Sequence, residues 1–297
     1  MHEGTEDDDE EDEMADARGL RIEFEGHPTL LKWHRLRRRM ADPLFSAEVM
    51  AEGFRAGASM ELDLRVRADG GFVVLHDKEL EGETSGHGII AEKSLSDLRD
   101  LRMKEGNRPL LTSEDLAAML QSAHPNALLQ FDMKDDYGVI GEKGIAHLAE
   151  HLQQISASVI VSGASLELIL AVKEKLPHLR RGIDPTDKLD DICRAGDWNA
   201  AEKELLADLR GPTEPETIYL NWQMLLDAAK ADLDMIALCH SEGKRVDAWT
   251  FTLKDPDSGF TDAEWGNFSA LMALKPDQVT TDEAPATERA WLKRMAS

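Results

Sequence analysis

The chain has 297 residues, 42% hydrophobic and 31% charged, with a formal net charge of −24. The apolar content is enough for a sizeable core, and α/β barrels of this length fold as one domain. The negative balance argues against non-specific binding to nucleic acid or to an anionic membrane face, but not against an anionic small molecule at a locally basic site.

Much of the acidity is local. Glu6 to Glu13 is an unbroken acidic run flanked by Glu3 and Asp16. Such a block repels itself and buries nothing, which predicts a disordered tail over residues 1–20, with binding to a protein partner as the functional alternative. An acidic start predicts no secretory signal. No run approaches the roughly 18 apolar residues of a membrane span, so no stable membrane insertion is expected. Cys193 and Cys239 lie far apart without metal-binding spacing, which reads as two plain thiols in a reducing, cytoplasmic setting.

From about residue 28 strand-like runs alternate with helix-like segments. Residues 29–34 read as a strand and 46–55 as a helix, with Val49, Met50 and Phe54 at helical apolar spacing. Residues 58–66 form the next strand. Gly70-Gly71 turns the chain into an extended run over 72–76. Ser94-Leu95-Ser96-Asp97 is a capping-box signal. Residues 82–88 are loop-rich; Gly86 and Gly88 suggest a phosphate cradle only weakly, and a plain surface loop is the better reading.

A helix over 113–122 and a strand over 127–133 follow. Then come helix 139–153, strand 157–161, helix 165–175 and strand 179–183. A helical stretch over 187–210 breaks near Gly196. Strand 217–220, helices to about 241, strand 245–251, helix 262–274, strand 278–281 and a helix from Pro285 complete the chain. About eight strand–helix units without a break in composition predict a single (β/α)8 TIM barrel over residues 21–297.

In such a barrel the site is built at the C-terminal ends of strands. His34, Glu61, Asp63, His76 and Asp132 all fall at the ends of predicted extended runs. Glu61 and Asp63 are two apart on one strand, so both face the same side. Two carboxylates this close repel, and without a cation at least one of them should hold a proton. A hard divalent cation, Mg²⁺ or Ca²⁺, resolves the conflict, with Asp132 as a third oxygen ligand. The alternative is a pair of exposed strand-end carboxylates capping the next loop.

His34 and His76 are the candidate proton-transfer pair, one for the attacking oxygen and one for the leaving oxygen. Arg35 offers a fork for phosphate oxygens, and Lys134 a point charge. Trp249 and Trp33 each read as a core aromatic by default, with a stacking wall for a substrate as the alternative. Arg37, Arg38 and Arg39 read as a solvated loop, or as a rim that attracts an anion. His27, His87, His124, His151, His178 and His240 show no partner pattern.

The order of these motifs resembles the glycerophosphodiester phosphodiesterase family. That family opens with His-Arg-Gly, continues through Gly-Ala before Glu-x-Asp, an Asp-Gly turn and His-Asp, and ends with Trp-Thr and Thr-Asp-x-Pro. Here stand His34-Arg35, Gly57-Ala58-Ser59-Met60-Glu61-Leu62-Asp63, Asp69-Gly70, His76-Asp77, Thr84-Ser85-Gly86-His87-Gly88, Asp132-Met133-Lys134, Trp249-Thr250 and Thr281-Asp282-Glu283-Ala284-Pro285. The resemblance spans about residues 29–286.

It implies a TIM barrel that hydrolyses a small glycerophosphodiester to an alcohol and glycerol 3-phosphate with a divalent cation. By position, His34 and His76 resemble the acid–base pair. Glu61, Asp63 and Asp132 resemble the metal ligands, Arg35 and Lys134 the phosphate contacts, and Trp249 a substrate-side aromatic. Three features depart from the family. Leu36 replaces the glycine after His-Arg, the Pro-Glu-Asn-Thr stretch is missing, and Asp132 stands where Glu is usual. The related sphingomyelinase D branch does use Asp-x-Lys. The alternatives are therefore a sugar phosphodiester, a phospholipid headgroup, or a non-catalytic barrel that binds a phosphorylated ligand.

Overall fold

The computed structural model describes residues 18–120, 123–153 and 156–296. The predicted acidic run lies outside them. Residues 19 and 20, assigned above to the tail, are bonded to the barrel instead. The Gly19 N–H donates to Glu288 Oε2 at 2.6 Å, and its carbonyl accepts from the Trp33 indole at 2.7 Å. The Leu31 N–H donates to the Leu20 carbonyl.

The chain opens with a hairpin that the sequence reading missed. β1 (Arg21–Phe24) runs antiparallel to β2 (His27–Trp33). Its two-residue turn, Glu25-Gly26, has positive φ at both positions, the geometry that matches strand twist in tight hairpins. Helix α1 (Ala47–Ala56) follows. Ser46 caps it by accepting from the Val49 N–H, and Gly57 closes it at φ 74°, left-handed backbone that glycine adopts without steric cost.

β3 (Ser59–Val66) then turns through Gly70-Gly71 into β4 (Phe72–Val74), which pairs antiparallel with β3. The barrel continues with β5 (Leu128–Met133), β6 (Val159–Ser162), β7 (Arg180–Ile183), β8 (Thr217–Asn221), β9 (Arg245–Trp249) and β10 (Gln278–Thr281). β2, β3, β5, β6, β7, β8, β9 and β10 pair in parallel, and β10 closes onto β2. The predicted (β/α)8 barrel is therefore present. One expectation changes. The extended run over 72–76 ends as a strand at Val74, antiparallel to β3, so His76 lies in the loop beyond it and not at the strand end.

Among the covering helices, α2 (Ser113–Leu120) and α3 (Tyr137–Leu152) flank β5. Asp136 caps α3 by accepting from the Val139 N–H. The predicted break at Gly196 is real. Helices end and restart there, at Thr186–Arg194 and Trp198–Leu209, with φ 73° at the glycine.

The apolar core lies between the strands and the helices, with Leu62, Leu64, Phe131, Val161 and Phe268 fully buried. The inside of the barrel is instead polar. Lys32 Nζ lies 2.8 Å from Asp247 and over the Tyr219 ring, and also donates to Gln130. Ser59 donates to Gln278, and Thr280 to Asp247. These side chains are tolerated there because they pair with one another.

Candidate active site at the barrel mouth

Parallel pairing sets the framework. The register places Asp63 abreast of Asp132, and Glu61 abreast of Gln130. Paired residues on neighbouring strands face the same side, so the three carboxylates converge inside the mouth. One oxygen from each of Glu61, Asp63 and Asp132 lies within 4.8 Å of the others. Glu61 and Asp63 are only 4% and 2% exposed, which rules out the reading as exposed loop caps.

Their counter-charges come from Lys134 and Arg35. Lys134 Nζ stands 2.9 Å from Asp63 Oδ1 and donates to Asp132 Oδ2. Arg35 Nε is 3.2 Å from Asp63 Oδ2 but misaligned for a hydrogen bond, so both buried atoms lack a hydrogen-bond partner. Two cations facing three carboxylates leave one negative charge in excess. Burial, with the Asp63 and Asp132 charges, pushes Glu61 well above the usual carboxylate range. At Asp63 burial acts the same way, but Lys134 and Arg35 outweigh it and hold the carboxyl down. Glu61 is therefore the carboxyl of the three that burial and its neighbours most favour in the protonated form when no cation is bound.

The donor set fits a hard divalent cation. All of its atoms are carboxylate oxygens, and Asp63 Oδ2 is a buried acceptor with no donor aligned on it.

The first turn after β2 is unusual. Arg35 and Leu36 both have left-handed backbone, at φ 51° and 52°. This turn aims the Arg35 N–H at Glu61 Oε2, 2.9 Å away. It also buries Leu36 completely. A glycine would adopt this conformation freely; leucine holds it because its side chain fills the core.

His34 and His76 stand at the same mouth. His34 Nδ1 lies 2.9 Å from Asp282 Oδ1. A carboxylate only accepts, so the proton sits on Nδ1 and Nε2 faces the mouth, 4.0 Å from Glu61 Oε2. His76 Nδ1 lies 3.1 Å from Asp77 Oδ1, which fixes its tautomer in the same way. Each ring keeps one free nitrogen for proton exchange.

A surrounding layer of residues was not assigned roles from the sequence. Asp282 sits in a motif that was recognised but given no task. It accepts from His34, Arg37 and Thr252. Burial opposes its ionisation, but His34 and Arg37 hold it down at about 2. Arg37 is thus tied to the site, and the reading of that segment as a solvated loop fails there. Glu83 accepts both the His76 and Asp77 backbone N–H groups at 2.8 Å. Arg65 spans from the His76 carbonyl to the Lys134 carbonyl and Asp135. A chain of hydrogen bonds runs Lys32–Gln130–Ser162–Asp132. No sequence periodicity reports such contacts, because most join segments remote in the chain and the Glu83 bonds depend on how its loop folds back.

The mouth opens into a cavity of about 320 Å³. His34, Arg35, Glu61, Asp63, His76, Asp132, Lys134 and Trp249 all line it, together with Asp184 and Tyr219. Trp249 is therefore a wall of the site, and its buried indole N–H has no partner. Trp33 is core, as its default reading had it. Residues 82–88 do not line the cavity; the loop reaches the site only through Glu83, which holds the His76-Asp77 backbone.

Comparison with known proteins adds the lineage. The model of the glycerophosphoryl diester phosphodiesterase family matches residues 46–284. A glycerophosphodiester phosphodiesterase of Bacillus subtilis (strain 168) is 26% identical over 137 residues, 40% of this chain. The matched region spans 47% of that relative's length, about half. A glycerophosphodiester phosphodiesterase from Parabacteroides distasonis superimposes with a TM-score of 0.64 at 15% identity, covering 90% of this chain and 98% of that one. An Oleispira antarctica phosphodiesterase, solved with its product sn-glycerol-3-phosphate, gives 0.62 at 17% identity, over 89% and 97%. At such identities the structural matches establish the shared fold.

Proposed function

The chain belongs to the glycerophosphoryl diester phosphodiesterase family, and on that premise we propose that it hydrolyses a small glycerophosphodiester to an alcohol and a phosphomonoester. The observation that carries this reading is the pair of histidines, each with Nδ1 bonded to a carboxylate, set beside three converging carboxylates in one mouth.

Glu61, Asp63 and Asp132 would hold a divalent cation, Mg²⁺ or Ca²⁺. When bound, such an ion would neutralise phosphoryl charge and make the attacking water a better nucleophile. Arg35 and Lys134 bind the phosphoryl oxygens and stabilise the charge that grows on them. One histidine takes the proton of the attacking water at its free ring nitrogen. The other enters the step as imidazolium, protonated on both ring nitrogens, and gives the proton of its outward nitrogen to the departing alkoxide. Asp282 and Asp77 orient the rings through Nδ1, leaving the outward nitrogen of each for the proton exchange and offsetting the charge of the ring that is imidazolium. Trp249 packs against the substrate.

The polar walls offered by Asp184, Tyr219 and Gln130 favour a small polar alcohol over a lipid headgroup. Among the described residues the exposed large apolar side chains are Leu30, Met40, Val139, Leu166 and Met295, drawn from separate segments. No helix among the described residues is long and apolar enough to cross a membrane. The free thiols of Cys193 and Cys239 support placement in a reducing compartment such as the cytoplasm.

The test is hydrolysis by purified protein of glycerophosphodiesters and of an aryl phosphodiester, with Mg²⁺, Ca²⁺ or a chelator. The expected result is cation-dependent turnover that falls at least about 100-fold in each of His34→Ala and His76→Ala. Turnover unaffected by both variants would overturn the assignment.

A further inference from the structure

A second set of metal-binding side chains lies in the helical layer and shares no residue with the mouth. His147 and His151 are four apart on α3, so their rings leave the same face. The ring centroids are 4.2 Å apart. Glu114, in the first turn of α2, faces them, with Oε1 3.9 Å from His147 Nε2. One ligand atom from each residue lies within 4.8 Å of the other two. In a tetrahedral site with bonds near 2.05 Å, neighbouring ligand atoms stand about 3.3 Å apart. Side-chain rotations of roughly an ångström close that difference.

The surroundings favour the ligand forms. Arg67 donates to Glu114 Oε1 at 2.7 Å and to Oε2 at 3.1 Å. Burial opposes the Glu114 charge, but these bonds hold the carboxyl down at about 2. Oε1, the oxygen that faces His147, keeps a further lone pair for an ion beside its Arg67 bond, and an outer partner that orients a ligating carboxylate is usual in metal sites. Burial, followed by the neighbouring His151, lowers the His147 pKa, which keeps its imidazole neutral near pH 7. The Ser113 hydroxyl now bonds His147 Nε2 at 2.7 Å. It has Glu114 Oε2 at 3.1 Å as an alternative acceptor when that nitrogen engages an ion.

We propose that Glu114, His147 and His151 form a second metal site, selective for Zn²⁺, Co²⁺ or Ni²⁺, that ties α2 to α3. Two imidazoles and one carboxylate favour these ions, whereas the all-oxygen mouth favours Mg²⁺ or Ca²⁺. Water completes the coordination. The site is independent of the hydrolytic activity.

The test is a Co²⁺ titration of the full-length protein in excess Mg²⁺, which occupies the mouth, followed by visible absorption and calorimetry. One equivalent of Co²⁺ with nitrogen-ligand absorption bands is expected. Both His151→Ala and His147→Ala should abolish it, and Zn²⁺ should displace it. Circular dichroism of each metal-free variant checks its fold. If His147→Ala fails to fold, the half-exposed His151 decides the matter. Absence of Co²⁺ binding, or binding unchanged in His151→Ala, overturns the proposal; the latter outcome would locate the ion elsewhere in the chain.

Discussion

Asp282 holds His34 by a 2.9 Å hydrogen bond to Nδ1 across 248 residues of sequence. The bond closes the barrel chemically where β10 meets β2, because His34 follows the first barrel strand and Asp282 the last. It orders the imidazole so that Nε2 faces the carboxylates.

Replacing that carboxylate should show this. An amide in Asp282→Asn can accept or donate, so the His34 tautomer is no longer fixed. Turnover of the diester should fall at least about 30-fold while KM stays within about threefold, since Asp282 acts through His34. A rise in KM with kcat preserved would show instead that Asp282 serves binding.

Trp249 offers a cleaner separation of stability from binding. Its indole N–H is buried without a partner. Trp249→Phe removes that unmet donor and keeps the aromatic face. The melting temperature should stay the same or rise slightly, while KM should rise about 3- to 10-fold, the worth of one neutral hydrogen bond. An unchanged KM would place no substrate group at that nitrogen.

Leu36 is strained and buried at once. Alanine here loses the packing of a core leucine, about 2–5 kcal/mol, and keeps the left-handed strain. Glycine loses the same packing but releases roughly 1 kcal/mol of strain. Leu36→Gly should therefore be less destabilised than Leu36→Ala in urea unfolding, the reverse of the usual order. The usual order would mean that the turn relaxes when the side chain is shortened.

Asp184 gives the pH dependence a definite sign. Burial, with lesser help from Asp132 and Asp187, raises its carboxyl to about 6. A group whose pKa is raised in the folded state favours folding while protonated. Its contribution is complete below the unfolded value of about 4, and is lost as pH rises through about 6. Asp184→Asn should therefore stabilise the protein at pH 7.5 by on the order of 1–2 kcal/mol, after allowance for partial solvent access, and should do little at pH 4. Equal effects at both pH values would contradict it.

The sequence by itself determined the alternation of strands and helices, because periodicities of two and of about three and a half residues are local properties of the chain. The candidate ligands were legible for the same reason. Glu61 and Asp63 share a face by strand period, and Asp132-Met133-Lys134 ends the next barrel strand in the chain. The β1 hairpin was missed because Arg21-Ile22-Glu23-Phe24, although it alternates, is too short a run to declare itself a strand, and the pairing of β4 stayed open because an extended run does not declare its pairing direction. Only the tertiary structure decided which carboxylate burial pushes up and which its cations hold down, which nitrogen of each histidine is free, and that Asp282, Glu83 and Arg65 support the site. Those outcomes depend on burial and on distances of about 3 Å between remote segments, and these exist only once the barrel has closed.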